Sequence, residues 1–286
     1  MEIWKLCVAL MLGLVEGLTE FAPVSSTGHM IIVDDLLLKS KDLFSAEIAN
    51  TFKIVIQLGS ILAVVVVFRE RFMTLLHLKK QTVITRNQFI DPKNLLPQRR
   101  LQLKHIIVGL LPALILGFLF SDFIDEHLFS VGTVIGALVV GAIWMIAADF
   151  LRPRKPTIES VDQITLPKAF MMGVMQCLAL WPGFSRSGAT ISGGVLIGLS
   201  HRAAADFSFI MAVPIMLGAS SLSMLKHWKD ITPGSIPFFI VGFISAFLCA
   251  LVVMHFFLKL IDKIKLLPFA IYRIVLSIAL YFIVFS

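Results

Sequence analysis

Long runs of apolar residues, almost free of charge, set the narrowest limits on the fold of this chain. Six runs reach the length of about 18–20 residues that a helix needs to cross a bilayer. They cover residues 51–68, 104–121, 130–150, 206–225, 236–258 and 268–286. Hydrophobic residues make up 58% of the chain, above the share of about 45–50% that is usual in soluble domains. The sequence therefore predicts an all-α polytopic membrane protein, with residues 1–286 forming a single integral membrane domain.

Two further apolar stretches, 3–38 and 169–199, are each interrupted by a short polar loop that contains glycine and proline. The loops cover residues 22–29 and 182–190. The limbs beside each loop are too short to span a bilayer, and irregular backbone at membrane depth must be shielded by protein or line a wet cavity. We therefore predict two re-entrant helical hairpins in addition to six full transmembrane helices.

The two interrupted stretches match each other at an offset of 160 residues. The matched pairs are Gly13 and Gly173, Glu16 and Gln176, Phe21 and Trp181, Ser25 and Ser185, Thr27 and Ser187, and Gly28 and Gly188. Each repeat, about 1–150 and about 169–286, has one hairpin followed by three crossings. Because three is odd, the second repeat is inserted upside down relative to the first, which predicts an inverted-topology repeat.

Lysine and arginine are concentrated in three of the loops between the apolar runs. The loop at about 69–104 holds nine of them, 151–168 holds four, and 259–267 holds three. The positive-inside rule places these three loops in the cytoplasm. The first hairpin then enters the membrane from outside and the second from the cytoplasm, so their tips can meet inside the bilayer. The net charge of +7 reflects membrane topology, and no nucleic-acid partner is expected.

Glu16 and Glu20 belong to the few ionisable residues of the predicted membrane segments, where such groups are functional candidates by default. Four residues apart on one helix, their carboxylates share a face and repel each other. A cation is therefore expected between them, either a divalent ion such as Mg²⁺ or Ca²⁺ or the guanidinium of Arg186. The predicted metal ligands are Glu16 and Glu20.

The two polar loops carry the donors of a predicted phosphate site. In each loop, small and hydroxyl-bearing residues precede a helix start, where backbone N–H groups bind anions. Arg186 adds a fork of donors suited to phosphate oxygens. The predicted phosphate-binding residues are Ser25, Ser26, Thr27, Gly28, Ser185, Arg186, Ser187, Gly188 and Thr190. His29 is placed to transfer a proton or attack phosphorus, and Arg273 is interpreted as a snorkelling or packing residue.

Anion donors, acids, hydroxyls and a histidine inside a membrane together indicate phosphoryl chemistry on a lipid. A transporter is the main alternative, because inverted repeats with broken helices are typical of transporters; a carrier, however, needs no acid and nucleophile. A lipid phosphatase related to the soluble acid phosphatases uses two separated histidines around an arginine-rich signature, a pattern that this chain does not have. A structural scaffold would not need charges on matched hairpins.

Both motifs resemble those of the bacterial undecaprenyl-diphosphate phosphatases of the bacitracin-resistance type. Residues 15–21 (VEGLTEF) and 23–29 (PVSSTGH) are similar to the acidic motif of that family, and residues 182–190 (PGFSRSGAT) to its second motif. The order of apolar runs resembles the family over the whole chain. The resemblance implies cleavage of undecaprenyl diphosphate to the monophosphate, which recycles the carrier lipid of cell-wall synthesis in the bacterial cytoplasmic membrane. It also implies dependence on a divalent cation and an active site open to the extracytoplasmic side.

By this resemblance, Glu16 and Glu20 hold the metal or act as acid and base, and Ser185 and Arg186 bind phosphate. The expected partners are a polyprenyl diphosphate and membrane lipids. The sequence leaves open whether the protein forms a homodimer, which metal it uses and how long the prenyl chain is.

The resemblance also implies that Ser26 or His29 is the nucleophile or its activator. Reasoning from the residues alone does not rank Ser26, His29 and a metal-activated water. Our hypothesis is attack by Ser26 with His29 assisting, which completes a catalytic set of Glu16, Glu20, Ser26, His29 and Arg186.

Overall fold

A computed structural model describes residues 2–43, 45–76, 100–128, 130–227 and 231–285, and its architecture is helical. The α-helices are α1 (Glu2–Thr19), α2 (Ser26–Met30), α3 (Ser40–Leu43), α4 (Ala46–Val67), α5 (Arg69–Leu75), α6 (Leu103–Leu119), α7 (Ser121–His127), α8 (Val131–Leu151), α9 (Leu166–Gln176), α10 (Arg186–Leu196), α11 (His201–His227), α12 (Ile236–Ile264) and α13 (Leu267–Phe285). Most of the predicted cytoplasmic loop at 69–104, residues 77–99, lies outside the described residues.

Several of these helices are long and apolar enough to cross a membrane. Among the described residues, five pass this test on their own: α4, α8, α11, α12 and α13. A sixth span results if α6 and α7, which meet at a bend of 67°, are counted together. The prediction of an all-α polytopic membrane protein is confirmed at this level, and the predicted runs overlap these helices.

In each of the two interrupted stretches, the helix ends at the polar loop. After α1 the chain turns, and α2 with its π-helical continuation Ile31–Leu38 packs back against α1. In the same way α9 continues into a short 3-10 turn, Cys177–Leu180, and α10 returns to pack against α9. Each stretch therefore forms two limbs joined by a loop, referred to below as the first loop (residues 20–25) and the second loop (residues 181–185).

Glycines allow each first limb to pack tightly against a helix from the other part of the chain. The first limb α1 lies along α12, and α9 lies along α6. A Cβ atom on Gly13 would meet Ser245 Oγ and the Gly242 carbonyl oxygen of α12, and one on Gly173 would meet the Gly109 carbonyl oxygen of α6. In lipid, helices associate through such close packing of small residues.

Two carboxylates, those of Asp34 and Asp149, each tie helices together. Asp34, in the π-helical segment, pairs with Lys53 of α4 at 2.7 Å. Asp149, near the end of α8, accepts hydrogen bonds from His201 Nε2 at 2.8 Å and from the Leu266 backbone N–H at 2.8 Å. These bonds fix how α4, α8, α11 and α13 stand around the two limb pairs.

Candidate functional site

A cavity of about 190 Å³ lies where the two loops meet. Its lining combines residues of both loops, of the helix starts that follow them and of the 3-10 turn with one residue each from α4 and α11: Glu20, Ser25, Ser26, Thr27, Gln57, Ala179, Pro182, Gly183, Ser185, Arg186 and Met216. Six of the residues predicted for the site therefore face one space, although they come from stretches far apart in the chain.

A serine in an uncommon backbone conformation precedes the second limb of each pair. Ser25 has a φ of 71° and Ser185 a φ of 75°, in the left-handed region that costs a non-glycine residue about 1–3 kcal/mol. Each serine caps its helix. Ser25 Oγ accepts from the Gly28 backbone N–H at 3.4 Å, and Ser185 Oγ accepts from that of Gly188 at 3.2 Å. The two loops thus present their next residue, Ser26 or Arg186, to the cavity in the same way.

Glu20 connects the two residues that follow these caps. The Ser26 hydroxyl donates to Glu20 Oε2 at 2.7 Å, and Arg186 Nη2 donates to Glu20 Oε1 at 3.2 Å. The Glu20 and Arg186 side chains are only 6% and 14% exposed, so water screens their attraction weakly. A carboxylate that accepts the hydrogen of a cavity-lining hydroxyl is the arrangement of a base beside a nucleophile.

Glu16 lies one helical turn before Glu20, and its carboxyl group is buried. It is within hydrogen-bonding reach of Glu20 and within electrostatic range of Arg186. In the described part of the chain, Glu16 Oε1 has no hydrogen-bond partner. A buried oxygen of this kind is costly unless a proton or a cation binds it.

The carboxylates of Glu16 and Glu20 offer oxygen atoms of the kind that a divalent cation such as Mg²⁺ prefers. The described residues hold no cluster of three or more His, Cys, Asp or Glu side chains that would form a complete metal site. Mg²⁺, however, is commonly held by one or two carboxylates, with phosphate oxygens and water completing its shell. Two adjacent carboxylates with one unpartnered oxygen meet that requirement.

Ser187 and Thr190 stand beside the cavity and make bonds within the protein. Ser187 Oγ donates to the Ala22 carbonyl oxygen at 3.2 Å, which links the two loops a second time. Thr190 Oγ1 donates to the Arg186 carbonyl oxygen at 2.8 Å and lies 2.6 Å from Ser208 Oγ. Gly28 and Gly188 take part through their cap bonds. Direct phosphate binding by these four residues stays a prediction.

The imidazole of His29 lies outside the cavity lining. Its Nδ1 is 2.8 Å from the Ser25 carbonyl oxygen, and its Nε2 is 2.7 Å from the Tyr272 hydroxyl of α13. The two ring nitrogens are therefore engaged with Ser25 and Tyr272 and are not directed at Ser26 or Glu20. That His29 assists Ser26 stays a prediction.

Arg273 is fully buried. The interpretation that it snorkels to the membrane surface is therefore wrong, and the interpretation that it packs inside the protein is confirmed. Its Nη2 donates to the Gly183 carbonyl oxygen at 3.0 Å and to the Ala137 carbonyl oxygen at 3.2 Å. Arg273 thus holds the second loop against α8. Gly141 leaves room for the Arg273 guanidinium, because a Cβ atom at Gly141 would collide with it.

Sequence reasoning missed Tyr272, Gln57 and Ser208 altogether. Gln57 lines the cavity, and the Ser208 carbonyl oxygen accepts from Arg186 Nη1 at 3.3 Å. All three lie within long apolar helices, where no local motif surrounds them. The only available signal was their polarity within runs of apolar residues.

The chain matches known proteins over nearly its whole length. Residues 9–279 match the family model described as bacitracin resistance protein BacA. Over 285 residues the chain is 60% identical to the undecaprenyl-diphosphatase of Geobacillus kaustophilus (strain HTA426), covering 100% of this chain and 99% of that protein. It is also 59% identical over 280 residues to the undecaprenyl-diphosphatase of Bacillus subtilis (strain 168), covering 98% of each.

Proposed function

The chain belongs to the family of bacitracin resistance protein BacA, and we propose on that basis that its two loops carry out the hydrolysis of undecaprenyl diphosphate. The products are undecaprenyl phosphate, the carrier lipid that cell-wall synthesis reuses, and inorganic phosphate. The observation that carries the assignment of the site is the continuous contact from the Ser26 hydroxyl through Glu20 to Arg186.

The terminal phosphate of the lipid occupies the cavity between the loops. Arg186 offers guanidinium donors to its oxygens, and the backbone N–H groups at the start of α10 add partial positive charge. Ser25, Thr27 and Ser185 line the same space with hydroxyl groups. Burial of the Glu20 and Arg186 side chains strengthens the electrostatic interactions at this site.

In the first chemical step Ser26 Oγ attacks the terminal phosphorus and Glu20 takes the hydroxyl proton. The bond from that phosphorus to the bridging oxygen breaks, and undecaprenyl phosphate leaves with the bonding electron pair. Glu20 rather than His29 is favoured as the proton acceptor, because its Oε2 already lies 2.7 Å from Ser26 Oγ. Arg186 neutralises charge that develops on the phosphoryl oxygens.

Glu20 first passes its proton to the departing undecaprenyl phosphate. In the second step water attacks the phosphoserine, Glu20 accepts a proton from the water, and it returns that proton to Ser26 Oγ, which leaves as the restored hydroxyl. A divalent cation, Mg²⁺ or Ca²⁺, would be held by Glu16 and Glu20, and when bound it supplies further positive charge at the phosphate oxygens. Glu16 contributes the buried, unpartnered oxygen that such an ion would satisfy.

The proposal includes a transmembrane topology for the chain. We infer six transmembrane helices and two re-entrant hairpins related as an inverted repeat, with repeats at about 1–150 and about 169–286. The shared φ of Ser25 and Ser185 supports this relation. The distribution of lysine and arginine supports an orientation in which the cavity opens to the extracytoplasmic side of the bacterial inner membrane. A homodimer is compatible with the exposed apolar helix faces.

A lipid-phosphate transporter is the second function considered for this architecture. Phosphate donors such as Arg186 would serve transport and hydrolysis alike. The hydrogen bond between Ser26 and a buried carboxylate places a base beside a nucleophile, which bond cleavage needs and transport does not, and it therefore favours the phosphatase.

The test is phosphate release from undecaprenyl diphosphate by the purified protein in detergent, with and without EDTA. We expect release that EDTA abolishes and that added Mg²⁺ or Ca²⁺ restores. Release that EDTA leaves unchanged would reject the cation, and no release from a folded sample would reject the phosphatase.

Quenched single-turnover reactions with a substrate labelled in its terminal phosphate identify the nucleophile. We expect label on the peptide that carries Ser26, as acid-stable phosphoserine. Acid-labile label on His29 would assign the attack to the histidine. Direct incorporation of ¹⁸O from water into phosphate, with no labelled protein, would assign it to water.

A further inference from the structure

Tyr272 of α13 contacts the first loop through His29. The Tyr272 hydroxyl lies 2.7 Å from His29 Nε2, and the two ring planes differ by 9°. His29 Nδ1, on the other side of the ring, lies 2.8 Å from the Ser25 carbonyl oxygen. A chain of hydrogen bonds therefore runs from α13 to the peptide that joins Ser25 to Ser26.

The direction of these hydrogen bonds follows from the atoms involved. A carbonyl oxygen can only accept, so His29 Nδ1 carries a hydrogen and donates it to Ser25. In the neutral ring Nε2 then has a lone pair, which accepts the hydrogen of the Tyr272 hydroxyl. With both nitrogens engaged, His29 fixes the position of the Ser25 carbonyl group.

That carbonyl group controls where Ser26 points. Ser25 has a φ of 71°, a conformation that serine keeps only when its surroundings enforce it. The His29 backbone N–H reaches the same oxygen at 3.4 Å, so the ring supplies the shorter of two bonds. Because the Ser25 carbonyl and the Ser26 nitrogen share one rigid peptide plane, holding the oxygen also sets the direction in which Ser26 leaves the loop.

We propose that Tyr272 and His29 are positioning residues that hold the peptide between Ser25 and Ser26 so that the Ser26 hydroxyl faces Glu20. The proposal rests on the proposed function, in which Ser26 attacks and Glu20 takes its proton. His29 then serves as a hydrogen-bond donor to the loop and uses neither its basicity nor its nucleophilicity. Helix α13 thereby holds the first loop through Tyr272 and the second through the adjacent Arg273.

Replacing His29 with asparagine or alanine separates positioning from proton transfer. The asparagine amide can donate to the Ser25 carbonyl oxygen as Nδ1 does, but it neither takes up a proton near neutral pH nor attacks phosphorus. We expect His29→Asn to keep kcat within about threefold of wild type. We expect His29→Ala to lower kcat at least about tenfold with little change in KM, because it loses the hydrogen bond that orients the loop.

Tyr272→Phe keeps the ring and removes only the hydroxyl. We expect kcat to fall about three- to tenfold. The matched control is Tyr281→Phe, nine residues further along the same helix, where the ring contacts Phe282 and Phe285; its kcat should equal that of wild type.

Chemical modification of His29 Nε2 tests the proposal without measuring activity. In Tyr272→Phe, His29 Nε2 loses its hydrogen-bond donor, so diethyl pyrocarbonate should modify His29 several times faster than in wild type or in Tyr281→Phe. The rate is measured by mass spectrometry of the peptide that contains His29.

Three results would each overturn the proposal. The first is folded His29→Asn protein that is as inactive as His29→Ala, and the second is His29→Ala protein that is as active as wild type. The third is Tyr272→Phe protein in which both kcat and the modification rate of His29 are unchanged. Ser26→Ala and Glu20→Gln, measured in the same assay, keep this failure apart from that of the proposed function. If either of these two variants stays fully active, the site itself is wrong. If both are inactive and His29→Asn is inactive too, only the positioning role fails.

Discussion

Glu20 has two partners on its two carboxylate oxygens, and the proposed mechanism gives each partner a different part in the chemistry. Ser26 on Oε2 passes its proton to the carboxylate, whereas Arg186 on Oε1 positions that carboxylate. Only a carboxylate can satisfy a hydroxyl and a guanidinium in this way. An amide of the same size would turn a donor towards one of the two partners, so the identity of this residue matters more than its volume.

Glu20→Gln should therefore lower phosphate release by about 10²–10⁴-fold, as expected for loss of a general base. The matched control is Glu126→Gln, because the Glu126 side chain is 78% exposed on α7; we expect wild-type release. Activity of Glu20→Gln within tenfold of wild type would remove Glu20 from the role of base.

Arg186→Lys keeps the charge but loses the planar fork of donors that reaches Glu20 and Ser208. We expect release to fall about 10- to 100-fold, because lysine cannot reproduce several fixed bonds at once. Arg154→Lys, at an exposed position in the loop after α8, serves as the control. Full activity of Arg186→Lys would show that charge alone is needed at this position.

Each pair of limbs is supported by helices that arrive from elsewhere in the chain. Local patterns predicted where the limbs break, because glycine, proline and serine in loops 22–29 and 182–190 leave a clear signal. They could not predict that α1 lies along α12 or that α13 holds both loops, since those contacts depend on which side chains meet after folding. Arg273 illustrates the limit: an isolated arginine near the start of an apolar run is indistinguishable, in sequence, from one that reaches the membrane surface.

Gly13→Ala tests the packing of α1 on α12. The added Cβ atom would meet Ser245 Oγ and the Gly242 carbonyl oxygen, so we expect a loss of about 1–3 kcal/mol of stability and a lower Tm in detergent. Gly218→Ala on α11 is the control, because a Cβ atom there meets nothing within 4 Å; its Tm should be equal or higher. Equal Tm values for both variants and wild type would contradict this packing.

Arg273→Met tests the support of the second loop. Methionine leaves the carbonyl oxygens of Gly183 and Ala137 without this donor, at a cost of about 1–3 kcal/mol each. We expect a lower Tm and reduced phosphate release, with Arg154→Met unchanged in both. A wild-type Tm for Arg273→Met would show that Arg273 does not hold the loop.

The site as a whole joins residues far apart in sequence, since Glu20 and Arg186 are separated by 166 positions. The match between the two interrupted stretches, together with the distribution of lysine and arginine, predicted that the tips of the two hairpins can meet. It did not reveal Tyr272, the partner of His29 Nε2, which comes from a helix outside both motifs. The charge distribution predicts the orientation, which a labelling experiment can decide.

Single cysteines in a background without Cys7, Cys177 and Cys249 test this orientation in intact cells. A cysteine at the exposed position Asp42 should react with a membrane-impermeant maleimide, and one at the exposed position Glu159 should react only after the cells are opened. The reverse pattern would place the cavity's opening towards the cytoplasm.

The packing of α1 on α12 also has a consequence for biosynthesis. More than 200 residues separate the end of α1 from the start of α12, which at about 5–20 residues per second corresponds to roughly 10–40 s of translation. Throughout that interval α1 lacks α12, although α4, which it also contacts, has already been synthesised. The first limb pair therefore reaches its final packing only after α12 has left the ribosome.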